Sequence, residues 1–151
     1  MIISQVKTMK DKLLCLVEEE GIYLLHWDFP PPVNGFYYQE AGSVPAIGIA
    51  RRIKDNSPLY TCVLAEELGH YYTSSGVHPP VARFSYAERL NVSRSEYIAQ
   101  KWAALKLMPA EKVRQALAAG IREVWELAEE FGVTEDLVWF RMGMEDIKDW
   151  E

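Results

Sequence analysis

The segment Cys62-Val63-Leu64-Ala65-Glu66-Glu67-Leu68-Gly69-His70-Tyr71-Tyr72 concentrates side chains that could hold a cation and move a proton. On a helix, residues four apart lie about 40° apart around the axis, one turn above the other, so Glu66 and His70 could both reach one metal ion. Glu67 is turned about 100° from Glu66, toward where a metal-bound water would lie, which is the place for a general base. Without a cation, Glu66, Glu67 and any third carboxylate would repel one another and at least one would have to protonate, so the cluster makes best sense around a metal. A carboxylate in place of an imidazole makes the site harder and acidifies bound water less, which leaves the ion open between zinc and another divalent metal. Gly69 weakens the middle of the helix. It predicts a close approach by another backbone or a substrate on that side, or simply tight helix packing.

A third ligand is needed, and the next helical stretch offers Glu96-Tyr97-Ile98-Ala99-Gln100-Lys101-Trp102-Ala103-Ala104-Leu105-Lys106-Leu107-Met108-Pro109. The first segment is similar to the HExxH helix of zinc peptidases, with Glu66 standing where that motif has its first histidine. Taken together, Ala65 through Tyr71 and Glu96 through Pro109 resemble the ImmA/IrrE family of metallopeptidases. That family pairs a HELGH-like helix with E-x-x-A-N-x-(aromatic)-A-A-x-L-(L)-x-P. Glu96, Ala99, Trp102, Ala103, Ala104, Leu107 and Pro109 fall on the pattern, and Gln100 stands where Asn is commoner. The resemblance runs from about the first strand to near Met142. It implies a zincin-like metal helix, Glu96 as the third metal ligand beside Glu66 and His70, water in the fourth position, and Glu67 as the catalytic base of a metal-dependent endopeptidase. It further implies a protein substrate, a cognate helix-turn-helix repressor of a phage or mobile element. The alternative is a catalytically inactive metal-binding interaction protein of the same fold.

Other side chains near this constellation have plainer readings as well. Two acids and a histidine on a helix are often only a solvated face. Cys62 lies one turn before Glu66 and a thiolate suits zinc, but it is two turns below His70 and out of reach of an ion shared with it. His78, in the loop after the metal helix, and Tyr71 and Tyr72 could each donate to the oxyanion of a tetrahedral intermediate, or be structural. His26 reads as a satisfied core or edge histidine, and Trp102, Trp125 and Trp139 as core aromatics.

These side chains require elements to position them. Val6, Met9, Leu13, Leu16 and Val17 keep helical spacing over Ser4–Glu20. Ile22–Trp27, Gly35–Gln39 and Ala46–Ala50 read as strands separated by Pro- and Gly-rich turns, a sheet of about three strands. From Pro58 the pattern is helical over Leu59–Ser74, Arg94–Lys106, Ala110–Ala119, Val124–Phe131 and Thr134–Met142, with the breaker Ser74-Ser75-Gly76-Val77-His78-Pro79-Pro80 after the first of these. The expected class is α+β, a small sheet with a predominantly helical remainder. It forms one domain over 1–151, its C-terminal helical part covering about 110–142, and the final Glu145–Glu151 stretch is simply acidic.

A net charge of -6 repels a phosphate backbone, so no direct nucleic-acid partner is expected. The segment Leu127–Val138 resembles a helix-turn-helix, yet its second helix opens Thr134-Glu135-Asp136, with two anions where DNA phosphates and base edges would be. No apolar run approaches the ~20 residues that cross a bilayer, so no membrane association is expected. Two cysteines in a chain of this size read as reduced thiols, which points to the cytoplasm.

Overall fold

The structure is a computed structural model that describes residues 7–74 and 86–148, with side chains over residues 93–147 in the second segment. Helix α1 spans Met9–Glu19. It starts later than the apolar spacing suggests because Thr8 and Asp11 close a capping box. Thr8 Oγ1 accepts from the Asp11 N–H and Asp11 Oδ2 from the Thr8 N–H, each at 3.2 Å. The helix buries Leu13 and Val17. Gly21, at φ 67°, makes the left-handed turn that ends it and leads into the sheet.

Strands β1 (Tyr23–Trp27), β2 (Gly35–Tyr38) and β3 (Ala46–Ala50) form one mixed sheet in the order β1-β3-β2. β3 is central, parallel to β1 and antiparallel to β2, and pairs Leu25 with Gly48 and Gly48 with Phe36. Alternation then puts Ile47, Ile49 and Tyr37 on one buried face. Tyr23 and Trp27 lie on the other and remain exposed.

A single 3-10 turn, Arg51–Ile53, leads to α2 (Ser57–Thr73). Asn56 caps α2 by accepting from the Leu59 N–H at 3.3 Å, and Pro58 sits in the first turn, where its missing N–H is not needed. Residues 60–65 and 68–70 are buried. A helix covered on most sides lies at the centre of its fold, and α2 packs on the sheet, on α1 and most extensively on α3 (Tyr86–Leu107). α3 begins eight residues earlier than the apolar spacing indicates; its first turns contain no Gly or Pro to stop it. Its buried face is mostly small, with Ala99, Ala103 and Ala104 all fully covered. This permits a close approach to α2: a Cβ on Gly69 would lie 2.5 Å from the Ala99 carbonyl oxygen and 3.0 Å from its Cα. Of the readings open for Gly69, helix backbone contact is the one observed.

The remainder is helical: α4 (Ala110–Ala118), α5 (Val124–Phe131), α6 (Glu135–Met142) and a short α7 (Glu145–Lys148) within the stretch read only as acidic. Gly132 turns left-handed at φ 65°, and Thr134 caps α6 by accepting from the Leu137 N–H at 3.2 Å. The α5–α6 corner is thus a compact helical pair. Trp125 and Trp139 correct the sequence reading, since they are 54% and 68% exposed rather than core. Helices of eight residues are too short for apolar spacing to fix which face turns inward; here that face carries Leu127, Ala128, Leu137 and Val138. An α+β fold with a small sheet and a helical majority is what the chain forms.

Candidate metal centre

The contact between Gly69 and Ala99 brings the neighbouring turns of α2 and α3 together. His70 is buried, and its Nε2 lies 3.1 Å from Glu96 Oε1. Two donors bonded at about 2.0–2.1 Å to one tetrahedral zinc lie roughly 3.3–3.4 Å apart, so this separation is close to one edge of such a coordination shell. On the far side of the imidazole, Nδ1 is 3.4 Å from Ser95 Oγ. The Tyr37 ring lies parallel to the imidazole at 6.4 Å between centroids. The hydroxyls of Thr73 and Ser74 donate to the Gly69 and His70 carbonyls, closing the last turn of α2 beneath the histidine. The imidazole is therefore held by its own helix, by β2 and by α3. Neither Ser95 nor Tyr37 was singled out from the sequence, though Ser95 immediately precedes Glu96 and could have been sought as an orienting partner.

Glu67 reaches beneath the sheet edge. A Cβ at Gly35, the first residue of β2, would lie 3.0 Å from Glu67 Oε1 and 2.5 Å from Val63 Cγ1, so only glycine leaves room there. Glu66, on the adjacent side of α2, lines a cavity of about 260 Å³ between α2, α3 and α6.

The four ionisable groups feel one another. Burial is the main cause that pushes Glu66 up to about 7, helped by the Glu96 carboxylate and partly opposed by His70. Glu67 is pushed to about 8, again chiefly by burial, with His70 opposing and Glu96 and Glu66 adding. Burial works against a charged His70, yet its hydrogen bond to Glu96 and the fields of Glu67, Glu96 and Glu66 outweigh this and raise its pKa. Two half-buried carboxyls beside a third acid form a cluster whose full ionisation calls for added positive charge. A divalent cation fits that donor chemistry, with His70 Nε2 and Glu96 Oε1 already converging. As the side chains stand, no group of three His, Cys, Asp or Glu among the described residues is gathered tightly enough to hold an ion, so Glu66 lies beside the converging pair rather than with it.

The remaining sequence candidates are arranged differently. Tyr71 and Tyr72 donate their hydroxyls to Glu20 at 2.7 and 3.2 Å, and Tyr72 stacks on Trp102. His78 lies outside the described residues. Cys62 is buried, its sulfur 3.5 Å from the Thr134 N–H nitrogen and 3.7 Å from Thr134 Oγ1, which ties α2 to the cap of α6. His26 Nε2 lies 2.8 Å from the Tyr60 hydroxyl, a partner for a strand histidine.

The model of the peptidase M78 family, the IrrE N-terminal-like domain, matches residues 17–142. That span holds the sheet, α2, α3 and the α5–α6 pair, and with them Glu66, Glu67, His70 and Glu96. No curated protein and no solved structure matches the chain. Among the described residues no helix is long and apolar enough to cross a membrane.

Proposed function

The chain belongs to the peptidase M78 family of metallopeptidases, and on that footing we propose that it is a metal-dependent endopeptidase whose centre is built on His70, Glu96 and Glu66. The observation that carries this reading is the 3.1 Å approach of His70 Nε2 to Glu96 Oε1 with the half-buried acid Glu67 on the same turn of α2. A nitrogen and two carboxylate oxygens form a three-ligand set suited to zinc, with Glu66 as the third member. When bound, the ion supplies Lewis-acid polarisation of the scissile carbonyl and lowers the pKa of water.

Glu67 takes the proton of the attacking water and returns it to the leaving amide nitrogen. Burial raises its pKa in the metal-free chain, and a bound cation would lower it again, favouring the carboxylate form that a base needs. β2 is an edge strand with Glu67 tucked under its first residue, which supports an extended peptide as the substrate, added along the strand. Family resemblance names the protein substrate as a helix-turn-helix repressor, in a cytoplasmic setting.

The test is incubation of zinc-loaded protein with the helix-turn-helix repressor encoded beside it. The wild type should cleave at a defined bond, and Glu67→Gln should retain zinc while losing cleavage by at least about a hundredfold. A zinc-loaded wild type that binds the repressor without cutting it would instead establish a non-catalytic interaction protein.

A further inference from the structure

We propose that the cavity beside Glu66 is a side-chain pocket selective for lysine or arginine, with Asp136 as the selecting residue. The cavity of about 260 Å³ is smaller than the ~300–1,000 Å³ usual for small-molecule sites and suits one long side chain. Leu59, Val63 and Leu137 supply apolar wall. Asn34 and Gln100 bring side-chain amides, Cys62 a thiol, and Glu66 and Asp136 the carboxylates. Among the described residues no Lys or Arg lines it. An apolar wall ending at a carboxylate matches a methylene stem that carries a cationic head. With Glu66 assigned to the metal, Asp136 is the acid left to receive that head.

The position of Asp136 is fixed from both directions. Thr134 caps α6 through the Leu137 N–H at 3.2 Å, and its own N–H nitrogen lies 3.5 Å from Cys62 Sγ on α2. The first turn of α6 is thereby anchored one helical turn from Glu66. Helix capping alone explains an acid at the start of α6, and Glu135 meets that need equally. Of the two, it is Asp136 that lines the cavity. One of the two anions that argue against DNA contact thus gains a separate use, in recognising a basic residue next to the bond to be cut. This meaning rests on the endopeptidase reading, whereas the pocket itself can be tested without hydrolysis.

The experiment is titration of the full-length protein with butylguanidinium, the arginine side chain without its backbone, followed by amide chemical shifts. Neutral butylurea serves as the isosteric control. Saturable shifts at residues 62–66 and 134–140 are expected, with butylurea binding more weakly. Asp136→Asn should weaken butylguanidinium at least fivefold, while Glu135→Gln leaves it unchanged; both residues are exposed, so these variants should fold. Absence of saturable shifts, or equal affinity in Asp136→Asn, overturns the pocket. Binding with the expected dependence but no peptide cleavage supports the pocket and overturns the endopeptidase reading. Cleavage with no preference for Lys or Arg beside the cut overturns the pocket alone.

Discussion

Gly69 and Ala99 touch backbone to backbone: a Cβ on the glycine would sit 2.5 Å from the Ala99 carbonyl oxygen. The obstacle is main chain, which cannot rotate aside, so α2 and α3 approach this closely only because residue 69 has no side chain. His70 and Glu96 sit next to this contact, one on each helix, and their 3.1 Å separation depends on it.

Gly69→Ala should therefore harm the proposed metal centre more than the fold. The added methyl forces the helices apart at a cost of about 1–3 kcal/mol, offset in part by alanine's helix propensity. Thermal unfolding should show a modest loss. Zinc affinity, read by competition with a chromophoric chelator, should fall at least tenfold. Full zinc affinity in a destabilised variant would show that the helix contact does not set the centre.

The metal-free protein should lose stability as pH rises from about 4.5 to about 8. Glu66 and Glu67 sit at about 7 and about 8, above the ordinary 4.5, and His70 is raised as well. A folded-state pKa above the unfolded value gives stability that is complete below the unfolded pKa and disappears as pH climbs through the folded one. All three groups act in that direction. Saturating zinc should abolish the decline, because the ion favours the deprotonated ligands. Melting temperatures across that range, with and without zinc, check this, and a flat metal-free profile would contradict it.

Arg141 gives the opposite pH dependence. It is fully buried, donates to the Met108 carbonyl at 2.7 Å and grips Asp146 through two hydrogen bonds of 2.7 and 2.8 Å. The hydrogen bonds from Arg141 hold the Asp146 pKa below its usual value. Its contribution is therefore present above the unfolded carboxylate pKa and lost as pH falls through the folded one, in the acid range. Asp146→Asn should cost about 2–3 kcal/mol at neutral pH, below the ~3–5 kcal/mol of a fully buried pair because Asp146 is partly exposed. Chemical denaturation at pH 7 and pH 3 should show the variant's deficit shrinking in acid.

The elements that announce themselves locally were legible in the sequence. Helical spacing, a proline in the first turn and Asn56 as cap mark α2, and β-rich runs between turn residues mark the three strands. Parallel pairing of β1 with β3 was not legible, because β2 intervenes in the chain and only burial beneath α2 decides the order. Phase was lost in the two eight-residue helices, where Trp125 and Trp139 turned outward. At the candidate site, the spacing of Glu66, Glu67 and His70 declared itself, whereas Glu96 came forward only through family resemblance. The supports of the imidazole were hidden for a different reason. Tyr37 and Ser95 lie far from His70 along the chain and meet it only when the sheet and α3 close on α2.

Zinc titration of the wild type beside single alanine variants of His70, Glu96 and Ser95 tests the centre most directly. One ion per chain should bind, with affinity reduced at least a hundredfold by His70→Ala or Glu96→Ala and about tenfold by Ser95→Ala, the range typical of residues that orient a ligand. A wild type that takes up no zinc or other divalent ion, or a Glu96→Ala variant that binds as tightly as the wild type, would contradict the assignment.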